Sequence, residues 1–314
     1  MHSSPPPSSP RSRSVAGLAL ERRLLAVDGH TVAVTGHLLD DGRAPVVFLH
    51  GVLTTTELVG ELFDDPAAES WLAVSLPGHA AGSFAAGTTA AEITPELYVR
   101  LTATAIRAIV GSRPVILVGW SLGGFTALAL AASGSANVAA VASLAGFGRP
   151  SFSGLVWILT GCSRLPVTRR LVAFGLWLAG RRPLMFRLLS LLTAHDLAAC
   201  RTPAARAAIR RVWRRFRRHD PESLRRVLAS LRRLDLGEAP RRIGCPVWIA
   251  GGRDDPVVSR RETRRLAAEI PQARLTEYAG GHLFFCEWQG FRRDLAAWLA
   301  EVRGGRAAAT ADQR

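Results

Sequence analysis

Continuous apolar runs of strand length punctuate this chain. Val46-Val47-Phe48-Leu49, a run near 71–75, Pro114-Val115-Ile116-Leu117-Val118, Val138 to Leu144 and Pro246-Val247-Trp248-Ile249-Ala250 each run out into a glycine-containing turn. Runs this short, apolar on both sides of the pleat, read as strands buried on both faces. Ala273 to Tyr278 reads as a last strand, ending in Ala279-Gly280-Gly281-His282. Two earlier strands, about 18–27 and 31–39, are joined at Asp28-Gly29, a good hairpin turn. A helix is expected over roughly 92–110, and another follows Gly123 through small apolar residues to Ala132. This alternation predicts an α/β fold, a mostly parallel sheet covered by helices on both faces. No internal repeat interrupts it.

One segment breaks the rhythm. Residues 149–242 carry 21 arginines against five acids, whereas the rest of the chain carries 19 arginines and 20 acids. The net charge of +15 therefore resides in that segment, and the chain contains no lysine. Its first half mixes apolar clusters such as Leu155-Val156-Trp157-Ile158-Leu159 and Leu171 to Leu178 with basic pairs. Its second half holds Arg210-Arg211-Val212-Trp213-Arg214-Arg215-Phe216-Arg217-Arg218, then a helix starting near Asp220-Pro221-Glu222. No apolar run reaches the ~20 residues that span a bilayer, so a transmembrane helix is excluded.

A chain of 314 residues with 48% hydrophobic residues can bury one large core. Residues 1–14, rich in Pro and Ser, read as a disordered tail without the apolar stretch of a secretory signal. Residues 305–314 read as a second frayed end. Cys162, Cys200, Cys245 and Cys286 lack metal-like spacing and are expected to be free thiols in a cytoplasmic protein.

The candidate chemistry lies at the strand ends. Gly119-Trp120-Ser121-Leu122-Gly123 sits between an apolar strand and a small-residue helix, the context of a nucleophile elbow. There the serine occupies a strained turn, and the glycines on either side keep the crossing strand and helix clear of side chains. A serine hydroxyl needs a base, and the base needs an acid to orient it. Asp254 or Asp255 follows the strand ending at Ala250, and His282 follows the last strand. Pro256 biases Asp255 towards extended backbone, which suits a turn that projects one side chain. The order Ser121, Asp, His282 matches one hydrolase architecture and not the other two common ones. His50 and His79 are rivals for the base, but only His282 follows the final strand.

These residues, with His50-Gly51 after the third strand and Leu76-Pro77-Gly78-His79, resemble the α/β-hydrolase superfamily over nearly all of residues 18–303. The hexapeptide Gly119 to Gly124 is similar to that of small capped esterases of the pimeloyl-carrier-protein methyl ester type. The resemblance implies a triad of Ser121, Asp255 and His282, with Asp255 favoured over Asp254 by its spacing from Gly252. It implies an oxyanion hole from the backbone N–H groups of Val52 and Leu122, no metal or organic cofactor, and structural parts for His50 and His79. It also implies a core over 15–148 and 240–304, and a helical cap at 149–239. The chain departs from the family at Ala80-Ala81, where a glycine is usual, and lacks a large aromatic just after His50-Gly51.

The function expected is hydrolysis of a carboxylic ester or thioester with an apolar acyl or alkyl part. Acyl transfer, cofactor-free peroxidation on the same triad, or a non-catalytic receptor are the alternatives. The arginine-rich cap admits three readings. These are solvated helix faces, capture of an acidic acyl carrier or anionic membrane surface, and nucleic-acid binding. The last is set aside because no binding motif accompanies the 210–218 stretch.

Overall fold

The computed structural model describes residues 17–191, 203–287 and 290–311. The tail at 1–14 therefore lies outside the described residues, as does Cys200. Eight strands form one sheet: β1 (Gly17–Val27), β2 (His30–Leu39), β3 (Val46–Leu49), β4 (Trp71–Ser75), β5 (Val115–Trp120), β6 (Val138–Leu144), β7 (Val247–Gly252) and β8 (Ala273–Tyr278). Their spatial order is β1-β2-β4-β3-β5-β6-β7-β8. β1 pairs with β2 and β2 with β4 antiparallel, and every later pairing is parallel. The first hairpin turns at Asp28 (φ 50°) and Gly29 (φ 76°), two positive φ values that suit the twist of the flanking strands.

Every residue of β3, β5 and β7 is buried. That follows from helices on both faces, which leave a central parallel strand no polar side. After β3 the chain turns to β4 on one side, and after β5 it turns to β6 on the other. The loops at the carboxyl ends of β3 and β5 diverge and open a crevice between them, the position where open α/β sheets bind ligands.

α1 (Pro95–Val110) begins three residues later than the apolar pattern suggests. Pro95 explains the start, because it forces Thr94 into extended backbone (ψ 167°) and places the Thr94 hydroxyl to cap Leu97 N–H at 3.3 Å. α2 (Leu122–Ser133) follows β5 directly and stops at Gly134 in the left-handed region. Beyond β6 come α3 (Gly154–Cys162), α4 (Arg169–Arg181), α5 (Pro183–Leu191), α6 (Pro203–Phe216) and α7 (Pro221–Ser230). Asp220 caps α7 by accepting from Ser223 N–H at 2.9 Å.

The two ends of this helical insertion are tied at one place. Leu236 N–H donates to the Gly148 carbonyl at 2.8 Å. Buried Glu262 accepts from the Gly148 and Arg149 N–H groups, both at 3.0 Å. The far side of the insertion rests on the loops after β3 and β4. Arg215 pairs with Glu57 at 2.9 Å, and Arg226 donates to the Thr88 carbonyl at 2.7 Å.

α8 (Arg260–Glu269), α9 (Phe284–Glu287) and α10 (Phe291–Ala311) complete the fold. α10 runs past Gly304-Gly305 to Ala311. Gly304-Gly305 costs the helix only about 1 kcal/mol per residue, and the alanine-rich stretch beyond favours continuing it. Cys162, Cys245 and Cys286 are free thiols. Among the described residues no helix is long and apolar enough to cross a membrane.

Candidate active site

Ser121 joins β5 to α2 at φ 54° and ψ −115°, a conformation sparsely populated by L-residues. Such strain costs on the order of 1–3 kcal/mol and persists only where its surroundings enforce it. Here they do. A Cβ on Gly119 would lie 2.2 Å from the Gly123 carbonyl oxygen, and one on Gly123 would lie 1.9 Å from that of Leu49. The helix start is thus pressed against both β5 and the end of β3, and only glycine fits at either crossing.

Asp255 stands three residues beyond an equally tight contact. A Cβ on Gly252 would lie 2.2 Å from the Gly281 carbonyl oxygen, so the end of β7 touches the loop that carries His282. The Asp255 carboxylate is held by both oxygens. Oδ1 accepts from Val257 N–H at 2.7 Å and Val258 N–H at 3.0 Å, and Oδ2 accepts from His282 Nδ1 at 2.8 Å. Both side chains are almost wholly buried, at 2% and 5% exposure. A proton on Nδ1 leaves Nε2 of the neutral ring as an acceptor, the tautomer a general base needs. Asp254 is exposed, and its N–H donates to the Gly280 carbonyl at 3.1 Å.

Trp120 links the two halves. Its indole N–H donates to the His282 carbonyl at 2.9 Å, and the rings lie 5.2 Å apart. His282 is therefore the near neighbour of the residue preceding Ser121. The Ser121 hydroxyl itself has no hydrogen-bond partner among the described residues. Catalytic contacts are commonly loose until substrate arrives, so this leaves the pairing with His282 open to form.

The loop after β3 packs on the elbow, since a Cβ on Gly51 would meet the Ser121 Cβ at 3.1 Å. The Gly51 carbonyl accepts from Thr54 Oγ1 at 2.8 Å and from His50 Nδ1 at 2.9 Å. C=O and N–H point oppositely across a trans peptide, so fixing the Gly51 carbonyl aims the Val52 N–H the other way. Neither Val52 N–H nor Leu122 N–H donates to a described residue. The Leu122 amide is also at the positive end of α2.

His50 is structural in this geometry. Nδ1 donates to Gly51, and Nε2 accepts from Leu76 N–H at 3.0 Å, so the ring bridges the ends of β3 and β4. Burial pushes its pKa down to about 4. His79 packs against it at 4.6 Å between ring centroids, and His219 of the insertion packs on His79 at 5.6 Å. Burial holds His79 well below the usual histidine range and His219 at about 4. The sequence pattern assigns no role to His219, and none to Trp120 beyond its place in the elbow. Glu262 was missed too, although a glutamate buried to 4% exposure is unusual enough to mark an anchoring role. Among the described residues no cluster of His, Cys, Asp or Glu is placed to hold a metal ion.

The family model described as Alpha/beta hydrolase family matches residues 46–291. Among solved structures the chain is similar to the enol-lactonase from Burkholderia xenovorans LB400, with 20% identity, 89% of this chain and 98% of that chain covered, and a TM-score of 0.66. It is also similar to the esterase RhEst1 from Rhodococcus sp. ECU1013, at 19% identity, coverage of 91% and 100%, and a TM-score of 0.67. The esterase EaEST from Exiguobacterium antarcticum gives 19% identity, coverage of 88% and 98%, and a TM-score of 0.68. At these identities the likeness is one of fold. No curated protein matches the chain.

Proposed function

Because this chain belongs to the alpha/beta hydrolase family, we propose that it is a serine hydrolase of carboxylic esters or thioesters with an apolar acyl or alkyl part. The observation that carries this reading is the His282–Asp255 bond of 2.8 Å, buried beside a serine held at φ 54°. The esterase and lactonase names of the similar structures agree with it.

In the mechanism, Ser121 Oγ attacks the substrate carbonyl carbon while His282 Nε2 takes its proton. The carbonyl oxygen becomes an oxyanion held by the Val52 and Leu122 N–H groups, each such donor contributing ~3 kcal/mol to the transition state. Collapse expels the alcohol or thiol, which leaves with the proton from His282, and the acyl group remains on Ser121. Water then attacks the acyl-enzyme, giving its proton to His282 Nε2. The carboxylic acid departs as that proton returns to Ser121. Asp255 orients the imidazole and stabilises its cationic form without taking the proton.

The helices at 149–239 act as a cap over the pocket and set the shape of the acyl site. Their seating on the loops after β3 and β4, through Arg215–Glu57 and Arg226–Thr88, supports this role.

Labelling with a fluorophosphonate probe tests the reading. Wild type is expected to label and Ser121→Ala to remain unlabelled, with hydrolysis of acyl esters lost in parallel. Unchanged labelling in Ser121→Ala, or none in folded wild type, would overturn it.

A further inference from the structure

Ten of the twelve large hydrophobic side chains most exposed among the described residues lie between Trp157 and Leu188. They occupy α3, α4, α5 and the turn between the first two. α4 shows why they stand apart from ordinary surface residues. Val172, Leu176 and Ala179 are buried and pack the helix onto its neighbours. Leu171, Phe174 and Trp177, spaced by three, form a second apolar stripe that faces solvent at 67%, 58% and 42% exposure. Leu184 and Leu188 extend the apolar surface onto α5, at 73% and 50% exposure. A helix apolar all round is one whose outer face has a partner.

The charge around that surface is of one sign. Residues 149–191 contain seven arginines and no acid. Arg164, Arg169, Arg170, Arg181 and Arg182 are exposed and pair with no acid among the described residues. Arg181 lies over the Trp177 ring at 5.3 Å, and that ring stacks on Phe174 at 5.5 Å, so cation and aromatics form one outward stack. Residues 192–202 lie outside this description and hold one acid, Asp196, against one arginine, Arg201, so they add no net charge.

We propose that α3, α4 and α5 form a docking face for an anionic lipid bilayer, lying in the interface plane. Trp157, Phe174 and Trp177 enter the boundary between headgroups and acyl chains, where amphipathic rings are favoured. The arginines engage lipid phosphates. Outside residues 149–242 the chain carries 19 arginines and 20 acids, so attraction to an anionic surface is directed to the insertion that bears this face. A second copy of the chain fits less well, because a two-fold contact would set these arginines against the same arginines with no acid to answer them. The proposal concerns the surface of the insertion and does not depend on the chemistry at Ser121.

Co-sedimentation of the full chain with vesicles tests it, on wild type and Ser121→Ala alike. Both are expected to bind vesicles containing phosphatidylglycerol roughly ten-fold or more tighter than pure phosphatidylcholine vesicles, with binding weakened by salt. The triple variant Leu171→Ser, Phe174→Ser, Trp177→Ser should lose binding by at least roughly ten-fold, as should Arg169→Glu with Arg170→Glu. Unchanged thermal melting would show that each variant is folded. If a variant melts early, the single change Phe174→Ser, made on one exposed ring, gives the same comparison with a smaller loss. Absence of wild-type binding to anionic vesicles overturns the proposal. So does equal binding by the folded variants, or a solution dimer that dissociates with the same substitutions while vesicles are ignored.

Discussion

The Trp120 indole N–H donates to the backbone carbonyl of His282 at 2.9 Å, so the residue before the strained serine holds the loop that carries the imidazole. The elbow and the histidine loop come from opposite ends of the chain's core and have this bond in common. Trp120→Phe keeps an aromatic ring and removes the donor, leaving a buried carbonyl without its partner at a cost of ~1–3 kcal/mol. The expected result is a roughly ten-fold slower rate of fluorophosphonate labelling with folding retained. Stopped-time labelling alongside calorimetry would check it, and an unchanged labelling rate would show that Trp120 does not position His282.

Asp254 and Asp255 stand side by side but differ in what they touch. Asp255→Asn would offer an amide in place of the acceptor that fixes the imidazole tautomer, and turnover should fall by about 10³–10⁴-fold. Asp254→Asn should stay within about two-fold, because its side chain is exposed and the bond to His282 Nδ1 is made by Asp255. Steady-state kinetics on a short-chain ester would separate them, and a reversed pattern would reassign the acid.

Two glycines should respond oppositely to alanine. At Gly123 a Cβ would fall 1.9 Å from the Leu49 carbonyl oxygen, so Gly123→Ala is expected to cost about 3 kcal/mol or more. Gly175 sits inside α4 with open space around it, and Gly175→Ala should stabilise by about 0.5–1 kcal/mol. Denaturant unfolding of both variants measures the contrast.

The three stacked histidines set an acid limit on stability. Buried His50 and His219 titrate near 4 when folded, and burial holds His79 well below the usual histidine range, whereas an unfolded histidine titrates near 6.5. Below pH 6.5 the unfolded chain takes up protons that the folded chain refuses, so stability is full above that pH and falls as the pH is lowered. Each histidine contributes up to about 1.4 kcal/mol per pH unit to this fall. For His50 and His219 the loss levels off near pH 4. Unfolding followed from neutral to acid pH should show the slope, and His219→Phe should flatten it. An acid limb identical in that variant would place the sensitivity elsewhere.

Ser121, Asp255 and His282 could be placed because each follows a strand in a turn that holds a glycine, and Gly119, Gly123 and Gly252 lie at tight crossings. Local pattern and tertiary contact agree there. His79 and His219 were not legible as a pair, since 140 positions separate them and only the seating of the insertion brings them together. The outward stripe of α4 was hidden for a different reason. Composition shows that Leu171, Val172, Phe174 and Leu176 are all apolar, but only packing decides that Val172 and Leu176 turn in while Leu171 and Phe174 turn out.

Gly148 and Leu236 meet through one 2.8 Å bond, with Glu262 fastening the first of them to α8. The insertion thus departs from and rejoins the sheet through a single doorway. Between those two residues helices can be lengthened, shortened or exchanged in the course of evolution without moving a strand, so substrate range and surface character can diversify while the machinery at the strand ends stays fixed.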